Sequence, residues 1–156
     1  MSTFVIYSGS DSNSVANFNH GVLNGIWGFQ KVRENAKADF ESIKPGDFIL
    51  LGMGFTHRDG GSPRKPREQY LEGGLRSMVL GEVESNLGTF DTFEWPDEVA
   101  ASSIMYPFRL RFYAVARFKD LSLGKLDDEV GDAFRLSALR QGEPTFISKT
   151  EIWKSP

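Results

Sequence analysis

The strongest alternation in the chain runs from Tyr106 to Phe118, Tyr-Pro-Phe-Arg-Leu-Arg-Phe-Tyr-Ala-Val-Ala-Arg-Phe. It puts Phe108, Leu110 and Phe112 on one face and Arg109 and Arg111 on the other, the signature of a strand. Phe4–Tyr7 is a shorter apolar run. Ser8-Gly9-Ser10-Asp11-Ser12 follows with turn and N-cap chemistry. A helix is predicted from about Asn13 to His20, with Val15 and Phe18 on one side and Gly21 at its end. Next comes Gly25-Ile26-Trp27-Gly28-Phe29, an aromatic and apolar segment bracketed by glycines. Residues 34–41 read as a short helix, Ile43-Lys44-Pro45-Gly46-Asp47 as a turn, and Phe48–Leu51 as a strand. A strand over 75–84, a helix over 129–140 and a last strand over 145–153 complete the pattern. Two stretches, 52–74 and 85–105, lack periodicity and read as long loops; loops of that length usually have a function. Five or six strands with short helices between them predict an α+β fold, a small curled sheet or barrel. With no repeat, low-complexity tract or linker, residues 1–156 form one domain.

Composition agrees with one folded unit. The chain has 156 residues, 40% hydrophobic and 25% charged, enough for a single core. Aromatic residues make up 13%, so some rings are free to work in a pocket. The absence of cysteine removes disulfides, thiolate metal sites and a cysteine nucleophile. No apolar run approaches the ~18 residues of a membrane span, and Met1-Ser2-Thr3 leads directly into the first strand without a signal-type segment. A soluble cytoplasmic protein with no membrane partner is the expectation. Met1 reads as a natural start, and Ser155-Pro156 as either a cut or a true end.

A net charge of −3 argues against sequence-blind DNA binding over the whole surface. The distribution is more informative. Residues 106–119 carry Arg109, Arg111, Arg117 and Lys119 with no acid, and 57–76 carry Arg58, Arg64, Lys65, Arg67 and Arg76 against three acids. Acids gather at 82–98 and 120–132. A basic face on an acidic body suits local phosphate contact; scattered solvated charge is the plainer alternative.

Enzyme readings lack parts. His20 and His57 have no metal-ligand spacing, and no nucleophile elbow, phosphate-binding loop or dinucleotide fingerprint is present. His57-Arg58-Asp59 spells a protein-kinase loop without the rest of that set. Trp95-Pro96-Asp97 spells the mobile loop of tyrosine phosphatases, which need the cysteine missing here. A hydrolase built on carboxylates alone stays open, since 21 acids contain close pairs. The expectation is a binding protein with no catalytic residues, cofactor or metal.

What remains is a set of tryptophans, polar turn residues and arginines. A nucleic-acid base held in a pocket needs flat walls, polar groups for its edge and cations for the flanking phosphates. Trp27 lies between glycines that allow close backbone approach, and Trp95 lies in the loop before the Arg-rich strand. Ser8, Ser10 and Asn13 leave the first strand at a turn, where side chains can point into a cavity. Each has a structural alternative: Trp27 as a core plug, Trp95 as a barrel cap, Ser8 and Asn13 as helix caps.

The chain resembles a known superfamily. Phe-Val-Ile-Tyr-Ser (4–8), Asn-Ser-Val (13–15), a helix and then Gly-Ile-Trp-Gly (25–28) look like the start of EVE and YTH domains, which are PUA-like barrels. Ile-Lys-Pro-Gly-Asp-Phe-Ile-Leu-Leu (43–51) is similar to an EVE-type strand entry, and Tyr-Pro-Phe-Arg-Leu-Arg-Phe (106–112) after a Trp-bearing loop also looks EVE-like. YTH domains read methylated adenine in RNA, and EVE domains are associated with modified bases in DNA and with modification-dependent restriction. The resemblance implies a cage wall at Trp27 and a second at Trp95. It further implies a base-edge contact at Asn13 and a phosphate contact at Arg140, within Arg140-Gln141-Gly142-Glu143. Phe29, Tyr106 or Met105 would supply the third wall, with Gly28 beside them. Spacing from the helix to Trp27 exceeds the YTH pattern, and Tyr7 stands where a basic residue often ends the first strand, which favours the EVE side.

The reading is therefore a binder of methylcytosine, hydroxymethylcytosine or methyladenine, in DNA rather than RNA, which flips the base into an aromatic cage. Ser8, Ser10, Asn13, Trp27, Gly28, Phe29, Trp95 and Tyr106 are the expected base contacts, and Arg64, Lys65, Arg109 and Arg140 the phosphate contacts. An RNA-binding module and a small-molecule or protein-interaction barrel are the alternatives. An effector nuclease or NTPase would belong to another domain or chain.

Overall fold

The protein is described here by a computed structural model covering residues 1–30, 34–56, 66–148 and 151–155. The first strand, β1 (Thr3–Tyr7), is buried on both faces. Phe4 and Ile6 point into one apolar cluster and Val5 and Tyr7 into another, so this short run carries no polar alternation. It pairs in parallel with β3 (Phe48–Thr56), Thr3 opposite Phe48 and Tyr7 opposite Gly52. Parallel pairing needs a long crossover. Here the crossover contains helix α1 (Ser12–Asn24), strand β2 (Ile26–Phe29) and helix α2 (Glu34–Ser42). Buried Asp47 fixes the return turn, its carboxylate accepting the Ser2 and Lys44 N–H groups at 2.9 and 3.0 Å.

From β3 the chain forms an antiparallel meander with two long strands, β4 (Gly74–Thr89) and β5 (Phe108–Ser122). Between them lie α3 (Arg67–Leu71), ahead of β4, and α4 (Pro96–Ala101), ahead of β5. Helix α5 (Asp128–Leu139) and strand β6 (Thr145–Ile147) close the chain. The six strands lie in the order β2-β5-β4-β3-β1-β6. Register shifts along β4 and β5 bend the pair. One face of the curled sheet packs with α1 and α2 through Phe18, Phe40, Trp27 and Phe112. The other packs with α3 and α5 through Tyr70, Val130 and Phe134. The α+β class with a curled sheet and short helices is as expected, with six strands.

Several boundaries differ from the sequence pattern. The first helix runs past Gly21 and ends at Gly25, whose φ of 65° forms the left-handed cap. Gly21 serves packing instead: a Cβ there would lie 2.6 Å from the Ile26 carbonyl and 2.8 Å from the Trp27 ring. The strand expected at 48–51 extends to Thr56, and that at 75–84 extends to Thr89. The strong pattern at 106–118 gives a strand over 108–122. Of the two expected loops, 52–74 contains the end of β3 and α3, and 85–105 contains the end of β4 and α4. The last strand is short, with Trp153 adding an isolated bridge to Leu126. His57, Arg58 and Asp59 lie outside the described residues. No helix among the described residues is long and apolar enough to cross a membrane.

Candidate functional site

A cavity of about 90 Å³ opens where the end of β1 meets α1, β2 and the segment leading into β5. Tyr7 and Ser8 come from β1 and its turn. Ser14 and Asn17 come from α1, Trp27, Gly28 and Phe29 from β2, and Trp95 and Tyr106 from the two ends of the α4 segment. Gln30, Gln141 and Gly142 complete the rim. The aromatic walls stand edge to face. The Trp27 and Trp95 ring centroids are 6.4 Å apart at 77°, and Trp95 and Tyr106 are 5.5 Å apart at 75°. Two perpendicular indoles make a corner rather than a parallel sandwich.

Glycine makes that corner. A Cβ at Gly28 would collide with the Trp95 ring and lie 2.8 Å from the Tyr106 Cβ. The glycine beside Trp27 thus admits Trp95, whereas Gly25 serves the helix cap.

The α4 segment is held by one carboxylate. Glu98 is wholly buried. Its Oε1 accepts the Glu94 and Trp95 N–H groups at 2.9 and 3.2 Å, and its Oε2 accepts those of Met105 and Tyr106 at 2.9 and 3.1 Å. Burial raises its pKa, but the four backbone donors outweigh burial and hold the carboxyl below the usual range. Pro96 at the first position of α4 suits the helix start. Glu98 therefore fixes both Trp95 and Tyr106.

A second network sits beside the cavity. Asp97 Oδ2 accepts the Tyr106 hydroxyl at 2.6 Å and the Asn17 amide at 3.0 Å, and the same amide nitrogen lies 3.1 Å from the Tyr106 oxygen. Burial, and then the bond to Asp97, push the Tyr106 phenol up. Three residues that line the cavity keep a buried polar atom without a partner: Ser8 Oγ, Asn17 Oδ1 and Trp95 Nε1. Each such atom costs about 1–3 kcal/mol until something pairs with it.

Of the residues expected at the base, the structure gathers Ser8, Trp27, Gly28, Phe29, Trp95 and Tyr106 around this cavity. It does not bring Ser10 or Asn13 there. Ser10 is exposed and bonds the Tyr7 hydroxyl. Asn13 is exposed in the first turn of α1, one turn before Asn17, while the inward stripe runs through Ser14, Asn17, Phe18 and Gly21. Arg109 is corrected more sharply. It is 1% exposed, opposite Gly28 in the sheet. Its guanidinium donates to Tyr106 O at 3.1 Å, Thr92 Oγ1 at 2.8 Å, the Thr92 carbonyl and Glu98 at 3.3 Å. The Phe90 and Trp95 rings lie 5.2 and 5.1 Å from it. The α4 segment covers that face of β5, so Arg109 buttresses the wall and meets no phosphate. Arg140 is exposed at the end of α5, next to the rim residues Gln141 and Gly142. Arg64 and Lys65 lie outside the described residues. Met105, the other candidate wall, is not among the cavity residues.

Sequence reasoning missed Asn17, Asp97 and Glu98. Asn17 carried a signal: a polar residue four positions before Gly21 and next to Phe18, on the apolar side of a helix. Asp97 stands inside Trp95-Pro96-Asp97, whose likeness to a phosphatase loop draws attention away from its carboxylate. No cluster of histidine and acidic residues among the described ones could hold a metal ion.

These features define an α+β domain with a curled six-stranded sheet and an aromatic corner pocket at one end. No protein-family model matches the chain. No curated protein matches it. Among solved structures it is similar to the CPSF4-YTH domain of Toxoplasma in its apo form, at 19% identity and a TM-score of 0.48, over 92% of this chain and 78% of that one.

Proposed function

We propose that this domain binds nucleic acid by taking up one modified base in the corner formed by Trp27, Trp95 and Tyr106, and that it catalyses no reaction. The observation that carries the reading is the coincidence of aromatic walls with three unpartnered buried polar atoms, on Ser8, Asn17 and Trp95, around one cavity. A flat ring with hydrogen-bonding edges matches both halves of that arrangement. A solvated ion matches neither. Stacking on an aromatic wall contributes about 1–3 kcal/mol per base, and the edge contacts add to it by relieving the orphan atoms. Exposed Arg140, beside the rim, supplies a cation for a flanking phosphate.

The order of motifs along the chain, similar to EVE and YTH domains, supports a modified base as the ligand. Its EVE-like features favour DNA. Methylcytosine, hydroxymethylcytosine and methyladenine all fit the chemistry, and any nuclease or NTPase acting on the bound DNA would reside elsewhere. The test is a panel of matched DNA and RNA oligonucleotides, each with one modified or unmodified base, titrated against the intact chain. Modified DNA should bind at least tenfold more tightly than its unmodified partner. Equal binding to modified and unmodified strands in both polymers would overturn the reading, and a preference for modified RNA would overturn the choice of DNA.

A further inference from the structure

We propose that Asp97 and Tyr106 lock the Asn17 amide so that it meets its ligand only as an acceptor, and that the pocket therefore selects a base by its exocyclic amine. This rests on the base-binding reading and narrows it.

The lock follows from the donor inventory. Asp97 has no proton to offer when ionised, so the group it faces must be a donor. It accepts the Asn17 nitrogen at 3.0 Å and the Tyr106 hydroxyl at 2.6 Å through one oxygen, Oδ2. Its other oxygen, Oδ1, accepts the Glu98 N–H at 2.9 Å. With both carboxylate oxygens engaged, the aspartate cannot turn. Flipping the Asn17 amide would set its carbonyl oxygen against a carboxylate oxygen, with no hydrogen between them. The amide is therefore held in one sense, its nitrogen toward Asp97 and its oxygen left over. That oxygen is buried and unpartnered, on a residue that lines the cavity.

A fixed acceptor requires a donor from the ligand. Cytosine and adenine joined to sugar carry one kind of N–H donor on the ring edge, the exocyclic amine, and otherwise present acceptors. The unpartnered Trp95 indole N–H offers the complementary donor for a neighbouring ring nitrogen, and the Ser8 hydroxyl can serve either way. An amine with one methyl group keeps one N–H and so still meets the requirement. Replacing the amine by a carbonyl oxygen in the same pose opposes two acceptors in a dry site. Asp97 is a positioning residue here, acting through Asn17.

The experiment compares the best-binding oligonucleotide with its counterpart carrying a carbonyl in place of the amine. The proteins are the wild-type chain and the Asp97→Asn and Tyr106→Phe variants. The wild type should favour the amine by at least tenfold. Asp97→Asn keeps the size, and with its oxygen on the Glu98 N–H it presents its NH₂ to Asn17. The Asn17 amide is then no longer held with its oxygen outward, so the preference should fall to within about threefold while the melting temperature stays near the wild-type value. Tyr106→Phe keeps the ring and removes the hydroxyl, and it should weaken the preference in the same direction; it decides the matter if Asp97→Asn does not fold. A wild type that binds both counterparts equally, or folded variants that keep the full preference, would overturn the lock while leaving base binding standing. Failure of every oligonucleotide to bind would overturn the base-binding reading and the lock with it.

Discussion

Replacing Glu98 with Gln is the most revealing single change to the pocket, because one buried carboxylate holds both Trp95 and Tyr106. The magnitude follows from its partners. If the amide oxygen takes the Oε1 position, it keeps the Glu94 and Trp95 N–H bonds, and its NH₂ then faces the Met105 and Tyr106 N–H groups. Two buried donors lose their acceptor, at about 1–3 kcal/mol each, or about 2–6 kcal/mol together. Buried Arg109 also loses its ionic partner. With roughly 2–4 °C per kcal/mol for a chain of this size, the melting temperature should fall by at least about 4 °C. Oligonucleotide affinity should fall further than stability alone explains, since both walls are released. The pH dependence adds a signature. The folded Glu98 has a lowered pKa, so its contribution is complete above the unfolded value of about 4.3 and declines as pH falls toward the folded one. The Gln variant does not titrate there. The stability difference between the two proteins should therefore be constant near neutrality and shrink below about pH 4.3. Urea melts of both proteins at several pH values measure it. A variant that melts within about 2 °C of the wild type, or a difference that grows on acidification, would refute the clamp.

Gly28→Ala should cost about 1–3 kcal/mol and at least tenfold in oligonucleotide affinity, because its Cβ drives into the Trp95 ring and Tyr106; paired denaturation and binding titrations check it. Arg109→Ala should destabilise the fold by about 3–5 kcal/mol, read in the same melts, by leaving Glu98 buried and uncompensated. Arg140→Ala, at an exposed position, should leave the melt unchanged and weaken modified and unmodified oligonucleotides by similar factors. Loss of discrimination in that variant would move Arg140 to the base edge.

The class of fold was legible because the buried strands announce themselves. Phe108, Leu110 and Phe112 alternate as a strand facing a core must, and all three are buried. The helix at 128–139 carries Val130, Ala133, Phe134 and Ser137 at helical spacing, and these, with Gly131, are its buried residues. The errors fell where tertiary contact decides. Gly21 looks like a stop in isolation and becomes a contact once Trp27 lies against it. The stretch 85–105 shows no period because α4 is one short helix, and what orders its flanks is Glu98 rather than an apolar stripe.

The site was legible in its aromatic half and hidden in its polar half, for one physical reason. Indoles are few and large, so Trp27 and Trp95 mark a wall wherever the chain places them. Polar residues are common, and whether one reads a ligand or decorates the surface depends on a rotation of about 100° per helical residue. Asn17 and Asn19 lie about 200° apart on α1, the first buried and the second exposed, while Asn13 is close to Asn17 in phase but sits in the exposed first turn. Arg109 failed for a related reason. Strand alternation assigned it outward, which is correct for an uncovered sheet, but the α4 segment supplies a second layer and turns the outer face inward. There Trp95 and Phe90 flank the guanidinium, and Glu98 and Thr92 accept its hydrogen bonds. The same layer brings Asp97 to Asn17, 80 residues away in the chain. The covering segment thus creates the pocket: it adds the second indole, buries the charge that supports it and holds the Asn17 amide at the cavity.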